Sequence, residues 1–292
     1  MTKDCLSIEN CLRQIAKMLI LNGTLVESPG LVNGKMGISI FFFHYALYTN
    51  NELFENYALD LIREIQAQIH NNSPADYEDG LAGIGTGIDY LFRNNFLQAE
   101  DDIFEEFDQR MVRAVLYDPW QDFSLYDGLA GYGRYWIARS HYPTAFEQAQ
   151  KCLLHIAGLI EERISDISTD EQTDICCFLQ DLCQISGSNV RTDICPSLQE
   201  RCQREWDLPV DMKQGLPRLS DSVVGSVAQL YQRSHYFKHD SQNEMDVALK
   251  QISDFDMNKP PDSMGLLNGY AGEGLLRLTA LNQTNKTWML LL

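Results

Sequence analysis

The sequence is short of positive charge and of long hydrophobic runs, and it lacks the C-x-x-C cysteine pairs typical of zinc sites. Its 23 basic residues are outnumbered by 41 acidic ones, which gives a net charge of −18. A field of this sign repels phosphate backbones, so nucleic-acid binding is disfavoured. No apolar run reaches the roughly 18 residues that a membrane-spanning helix needs. We therefore expect no membrane span.

The first residues also lack an export signal. The segment MTKDCLSIENCLRQIAKMLIL mixes acidic with apolar residues and has no small-residue cleavage site, which is typical of an amphipathic helix. Because no secretion signal is present, the eight cysteines are expected to be reduced thiols rather than a disulfide framework. These features together predict a cytoplasmic protein.

A glycine motif recurs along the chain at nearly constant spacing. The four plain copies are NGKMGIS from Asn33, DGLAGIG from Asp79, DGLAGYG from Asp127 and NGYAGEG from Asn268. The first three lie 46 and 48 residues apart, and the interval from the third to the last is 141, or three times 47. This interval predicts two degenerate copies of the motif, at DICCFLQ from Asp174 and DSVVGSV from Asp221.

The segments between the motifs carry apolar residues at helical spacing, and none shows the alternation of a strand. Each repeat therefore pairs a polar-faced helix with a more apolar helix that begins at the glycine motif. Such a hairpin cannot bury its apolar helix alone, so the repeats must stack. The sequence predicts an all-α (α/α)6 toroid of six hairpins and a single domain over residues 1–292. Its inner helices are predicted to begin near residues 34, 80, 128, 175, 222 and 269.

The residues at these predicted helix starts are of types favoured as N-caps. They are Asn33, Asp79, Asp127, Asp174, Asp221 and Asn268. The glycines that follow would let the helix ends approach closely and leave free amides at a central opening, where helix dipoles favour anions. Alternatively, the glycines serve packing alone. Close packing predicts that Gly83 and Gly131 tolerate a side chain less well than Gly23 or Gly187.

The motif resembles that of the lanthionine synthetase C-like (LanC-like) family. The segments that carry the resemblance are GLVNGKMGI, GLAGIGTGI, GLAGYGRYW and GLLNGYAGEGLL, which share one register. The resemblance implies a double-layered α-helical toroid. Enzymes of the family add peptide cysteine thiols to dehydroalanine or dehydrobutyrine in ribosomally made peptides. Their zinc lowers the pKa of the thiol so that the thiolate attacks.

The zinc ligands that the resemblance implies are missing at the matching positions. The family holds zinc through the Cys of a Trp-Cys-Tyr-Gly motif and the Cys-His pair of a Cys-His-Gly motif. Thr173 stands where the first ligand is expected, and Ser220 and Asp221 stand where the pair is expected. In the third repeat, Asp127 replaces a histidine that is frequent in the family. Asp76 alone fits a catalytic position of the family, because DYEDGLAG matches its spacing.

A replacement metal site is not favoured by the remaining cysteines and histidines. Five cysteines fall within 27 residues, at Cys176, Cys177, Cys183, Cys195 and Cys202. They form no C-x-x-C pair, and a seven-residue spacing favours the buried stripe of a helix, where cysteine behaves as a small hydrophobe. His235 and His239 share a helix face but lack a third partner. We therefore predict that the chain binds no metal and no other cofactor.

Carboxylates cluster at or just before the predicted inner-helix starts. They belong to Asp76, Glu78, Asp79, Asp122, Asp127, Asp174 and Asp221. Helix caps are commonly acidic, so these groups can be structural. Two functional interpretations remain open: paired carboxylates with separated pKa values for glycoside hydrolysis, or an acidic mouth that binds a cationic peptide. Aromatic residues near the same positions, such as Phe123, could support either function or could belong to the hydrophobic core.

The leading functional prediction is a zinc-free LanC-like protein that acts as a peptide-binding or accessory component in modifying ribosomally made peptides. The alternatives are a zinc-independent, glycosidase-like toroid and a thioether cyclase with a relocated metal site. The candidate catalytic residues are Asp76, Asp79 and Asp127. The candidate binding residues are Tyr77, Glu78, Trp120, Tyr126, Tyr132, Asp174, Asp221, Asn268 and Tyr270.

Overall fold

The computed structural model describes residues 3–70, 72–98, 104–185, 194–205, 222–237, 242–252 and 263–292. These residues form twelve α-helices and no strand, apart from an isolated bridge between Ser263 and Gly269. The all-α prediction is therefore confirmed, and the helices are consistent with the toroid fold of the resembled family. None of the described helices combines the length and the apolar character required to cross a bilayer.

The helices follow one another in six pairs along the chain. Their bounds are α1 Lys3–Asn22, α2 Lys35–Thr49, α3 Glu52–Gln68, α4 Leu81–Arg93, α5 Glu105–Leu116, α6 Leu129–Arg139, α7 Phe146–Arg163, α8 Thr169–Gln184, α9 Ile194–Glu205, α10 Val223–Phe237, α11 Gln242–Gln251 and α12 Tyr270–Ala280. The predicted contrast within a pair is clear in neighbouring helices. In the second pair, ten of the thirteen residues of α4 are buried, whereas α3 buries only Ala58, Leu61, Ile62 and Ile65. A helix that is buried all round belongs to the core, and one with a narrow apolar stripe covers it.

The chain divides into two compact units. Unit 1 consists of residues 1–70 and 214–292, and unit 2 consists of residues 71–213. In unit 1, α2 packs against α3 and α12, and α1 packs against α12. In unit 2, α6 packs between α4 and α8, with α7 beside it and α9 against α8. The last repeat thus contacts the first within unit 1. The closure of a complete ring and the organisation of the chain as a single domain remain predictions.

Five of the six predicted inner-helix starts are confirmed, because α2, α4, α6, α10 and α12 each begin one residue after the predicted position. The prediction for the fourth repeat is wrong. Helix α8 begins at Thr169, six residues before residue 175. The reason is a capping box: the Ser168 side chain accepts from the backbone N–H of Glu171, while the Glu171 carboxylate accepts from the Ser168 N–H at 3.0 Å. These two reciprocal hydrogen bonds start the helix before the degenerate motif.

The assignment of Asn33, Asp79, Asp127 and Asn268 as N-caps is also wrong. The N-cap in each case is the following glycine, at Gly34, Gly80, Gly128 and Gly269, and no side chain caps the helix. Asp174 lies inside α8, and Asp221 lies outside the described residues. In α10 the cap is a serine: the Ser222 hydroxyl accepts from the Gly225 N–H at 2.9 Å.

Side-chain caps are unnecessary because each preceding loop folds back onto its own helix. The first helical N–H donates to a carbonyl seven residues earlier in four repeats: Lys35 to Ser28 at 3.0 Å, Leu81 to Pro74 at 2.9 Å, Leu129 to Asp122 at 2.9 Å and Tyr270 to Ser263 at 3.1 Å. A Cβ on any of the four N-cap glycines would lie 2.4–2.8 Å from atoms of this loop. The first amides of these helices are therefore occupied, which contradicts the expectation that they are free for an anion.

Glycines one turn further along receive aromatic rings from the next repeat. A Cβ on Gly85 would lie 2.4 Å from the Tyr135 ring, and a Cβ on Gly133 would lie 2.4 Å from the Phe178 ring. In unit 1, a Cβ on Gly274 of the last repeat would lie 2.2 Å from the ring of Phe41 in the first. These glycines admit a bulky neighbour, as the packing interpretation predicts.

Candidate functional site

Hydrogen bonds in unit 2 join the loops that lead into α4 and α6 to each other and to the first two turns of α8. The N–H groups of Tyr77 and Glu78 both donate to the Tyr126 carbonyl, at 2.8 and 3.2 Å. The N–H of Leu125 donates to the Asp174 carboxylate at 2.7 Å. The N–H of Phe123 donates to the Glu171 carboxylate, also at 2.7 Å. Three consecutive repeats are thereby fixed to one another at their helix starts.

The three candidate catalytic carboxylates of this region differ in their surroundings. Asp76 is half-buried, and one of its oxygens accepts from the N–H groups of Asp79 and Gly80, at 2.8 and 3.0 Å. Burial raises the pKa of Asp76, and these two hydrogen bonds offset only part of that rise. The Asp79 and Asp127 side chains are exposed to solvent. Asp76 thus holds a loop together, whereas Asp79 and Asp127 present carboxylates to the surface.

The candidate tyrosines of unit 2 are buried. Tyr77 is fully buried, and the guanidinium of Arg134 lies 5.9 Å from its ring centroid. Burial, followed by the Asp174 carboxylate, raises the pKa of Tyr126. Burial, followed by the Asp76 carboxylate, raises the pKa of Tyr132 to about 12. These phenols stay neutral at physiological pH.

The remaining candidate residues are distributed over both units. In unit 2, Trp120 is 58% exposed in the segment after α5, and Glu78 is half-buried. In unit 1, Asn268 is exposed, and Tyr270 is buried as the first residue of α12. Asp221 falls outside the described residues. The structure therefore brings together the candidates at positions 76–79, 126–132 and 174, all of them in unit 2.

Comparison with known families agrees with the repeat pattern and the helical fold. A family model described as lanthionine synthetase C-like protein matches residues 8–176, which is more than half of the chain. The chain belongs to the LanC-like family. The matched range takes in the first three glycine motifs and ends within α8. No curated protein matches the sequence.

The residues described at the family's zinc positions do not fit zinc. In this LanC-like chain, Thr173 is buried and offers only a hydroxyl, while the Asp174 carboxylate is bound to the Leu125 amide. Zinc sites are built mainly from cysteine sulfur and histidine nitrogen, and a hydroxyl is not among their usual protein ligands. Ser220 and Asp221 lie outside the described residues.

Cys176 and Cys177 of α8 and Cys202 of α9 are buried, whereas Cys183 of α8 is half-buried. Burial raises the pKa of Cys176 and of Cys202 to about 12, and that of Cys177 well above its usual value. Thiols of this kind bind metal poorly, because the ligand is the thiolate. The described parts of the chain contain no group of three or more His, Cys, Asp or Glu side chains placed to hold a metal. Cys195 and His239 are not among the described side chains, and His235 lies beside Tyr231 and Tyr236.

Sequence reasoning missed Glu171, which both completes the capping box of α8 and anchors the loop before α6. The spacing Ser168-x-x-Glu171 is the signature of a capping box and could have revealed it. Arg134, which lies over Tyr77, was missed as well. No local signal marks Arg134, since its role depends on a residue of the preceding repeat.

We expect Asp76→Ala to lower the free energy of unfolding by about 2 kcal/mol, because two backbone N–H groups lose a charged acceptor. Asp127→Ala removes an exposed carboxylate and should change it by less than about 0.5 kcal/mol. Urea unfolding followed by circular dichroism compares the two variants. Equal, small losses would show that the Asp76 bonds do not stabilise the loop.

Proposed function

We propose that this LanC-like chain is a zinc-free peptide-binding or accessory component in the modification of ribosomally made peptides, and that its partner is a cationic peptide. The observation that carries the proposal is the exposure of Asp79 and Asp127 at two adjoining helix starts. Family membership connects the chain with peptide maturation, and the net charge of −18 favours a cationic partner.

Rigid presentation of these carboxylates supports binding. Asp76 holds the loop that carries Asp79, and the Asp174 and Glu171 carboxylates hold the loop that precedes Asp127. A site that is already ordered loses less conformational entropy when its partner binds. The exposed ring of Trp120 offers an apolar contact surface of the kind that peptide-binding sites use.

A glycosidase-like function receives less support. A glycosidase needs one carboxyl group to donate a proton and a second to act as base or nucleophile. Asp76, whose pKa is raised, would be the natural proton donor, yet one of its oxygens is occupied by two backbone amides. We therefore place peptide binding ahead of carboxylate catalysis.

Fluorescence anisotropy with two labelled 12-residue peptides of opposite net charge and the same apolar residues tests the proposal. We expect the wild-type chain to prefer the cationic peptide, with an affinity that falls as salt is added. Asp79→Asn with Asp127→Asn should weaken binding about ten-fold, or about 1.4 kcal/mol. Matched changes at exposed Glu52→Gln and Glu55→Gln in α3 alter the net charge equally and should have little effect.

Four outcomes would contradict the proposal. Equal affinity for both peptides, or equal weakening by the two pairs of substitutions, would show that Asp79 and Asp127 do not form the site. Stoichiometric zinc in protein purified without chelators, together with thioether formation, would instead favour the cyclase. Hydrolysis of an oligosaccharide that is lost in Asp76→Asn would favour the glycosidase-like enzyme.

A further inference from the structure

Helix α1 in unit 1 has a buried apolar face and, near its C-terminal end, two exposed apolar residues on the opposite face. One face is buried and contains Ile8, Cys11, Leu12, Ile15 and Leu19. The hydroxyl of Tyr57 in α3 donates to the Leu19 carbonyl at 3.2 Å and ties α1 to the unit. The opposite face carries Ile20, which is 41% exposed, and Leu21, which is 60% exposed. A helix that only covered a core would have a polar outer face.

The second face of α1 lines a groove. The groove has a volume of about 260 Å³ and is bounded by Ala16, Ile20 and Leu21 of α1 and by the rings of Tyr45 and Phe54. A groove that opens between a helix and aromatic rings can receive a few apolar side chains of a partner. From Arg13 to Leu21 the helix rises about 12 Å, which matches about two turns of a docked helix.

Exposed apolar side chains are concentrated around the same helices. Of the nine large hydrophobic side chains exposed in the described residues, five lie between residues 20 and 53: Ile20, Leu21, Leu25, Leu47 and Leu53. Single exposed apolar residues are normal, and of these five Ile20 and Leu21 line the groove.

The charge at the groove is opposite to that of the chain. Arg13 and Lys17 line the groove, are exposed, and form no ion pair with any described residue. The chain as a whole carries a net charge of −18. Two exposed cations beside an apolar groove complement a partner that carries acidic residues next to apolar ones.

We propose that this groove docks an amphipathic helix of a partner protein, with apolar side chains at i, i+3 and i+4 and with Asp or Glu at the flanking positions. An anionic bilayer is a poorer match, because two cations must offset the repulsion of an acidic chain. A second copy of the chain is also a poorer match, because two copies that each carry a net charge of −18 repel each other. The groove uses none of the residues in the proposed peptide site, so each proposal can fail without the other.

The test selects ligands from a displayed library of 14-residue helices with leucine at i, i+3, i+4 and i+7 and random charge at the flanks. We expect the wild-type chain to select flanks enriched in Asp and Glu. Arg13→Glu with Lys17→Glu should reverse the preference to Lys and Arg. A selected acidic peptide, measured by fluorescence anisotropy, should bind the double variant at least ten-fold more weakly.

The matched control reverses two exposed cations of unit 2, Arg113→Glu and Lys151→Glu, and changes the net charge by the same amount. It should leave the affinity within two-fold, and thermal unfolding verifies that all variants fold. Selection without acidic enrichment, or equal weakening by both double variants, would overturn the proposal. Preferential binding to phosphatidylglycerol vesicles, or dimer formation lost only in Arg13→Glu/Lys17→Glu, would overturn it in favour of a membrane or a second copy.

Discussion

Replacing Gly131 with valine is expected to lower the free energy of unfolding by about 3 kcal/mol or more. A Cβ at this position in the first turn of α6 would lie 2.1 Å from the Leu125 carbonyl oxygen and 2.7 Å from the Tyr77 Cβ. Neither atom can move away cheaply. The carbonyl is part of the loop backbone, and Tyr77 is fixed by its own N–H bond to the Tyr126 carbonyl. Urea unfolding followed by circular dichroism measures the loss.

Gly158 in α7 is the matched control, because a Cβ there meets nothing within 4 Å. Gly158→Ala should raise the free energy of unfolding by about 0.5–1 kcal/mol, since alanine favours the helix and restricts the unfolded chain. Gly23 does not serve this purpose, because its Cβ would lie 2.8 Å from the Tyr57 hydroxyl. Gly187 lies outside the described residues. Similar effects at Gly131 and Gly158 would show that the motif glycine is not required for packing.

Asp108→Asn is expected to destabilise the protein by about 3 kcal/mol, because it leaves a buried guanidinium without its counter-charge. The Asp108 carboxylate accepts from Arg139 Nε at 2.9 Å, from Arg139 Nη2 at 2.7 Å and from the Tyr135 hydroxyl at 2.6 Å. The Arg139 side chain is only 1% exposed and lies over the Phe104 ring. Thermal and urea unfolding of the variant measure the loss.

The exposed pair Asp60–Arg63 in α3 provides the comparison, with both side chains more than 60% exposed. Asp60→Asn should change the free energy of unfolding by less than about 1 kcal/mol. Adding Arg139→Met to Asp108→Asn should recover much of the lost stability, because the uncompensated charge is then removed. If Asp108→Asn lowered the free energy of unfolding no more than Asp60→Asn, or if adding Arg139→Met lowered it further, the buried ion pair would not stabilise the protein as described.

Helix content and most helix starts could be predicted because the glycine motif repeats in register. The fourth repeat has lost its glycines, so its helix start had to be interpolated, although Ser168 and Glu171 carried a readable capping signal. Asp79 and Asp127 were assigned as N-caps because their type is favoured there. The actual cap glycines depend on a loop that folds back over seven residues, and composition does not reveal that path.

The candidate site was predictable in its location within unit 2 but not in the roles of its residues. Asp76 and Asp79 are chemically identical and three residues apart, yet one accepts backbone bonds and the other is exposed. Their difference comes from the turn between them. The buried pair of Asp108 and Arg139 joins α5 to α6, the two helices of the third repeat, and its partners are 31 residues apart, so they could not be matched from spacing alone.

The contact between the first and last repeats has a consequence for synthesis of the chain. Unit 2 is one continuous stretch, residues 71–213, and its helices can pack as they leave the ribosome. Phe41 of α2, in contrast, packs against Gly274 of α12, which is synthesised much later. At a translation rate of about 5–20 residues per second, the delay between the two residues is on the order of tens of seconds. During that interval the apolar segment ISIFFF lacks one of its packing partners. We therefore expect the nascent chain to depend on chaperone protection until residue 274 has emerged.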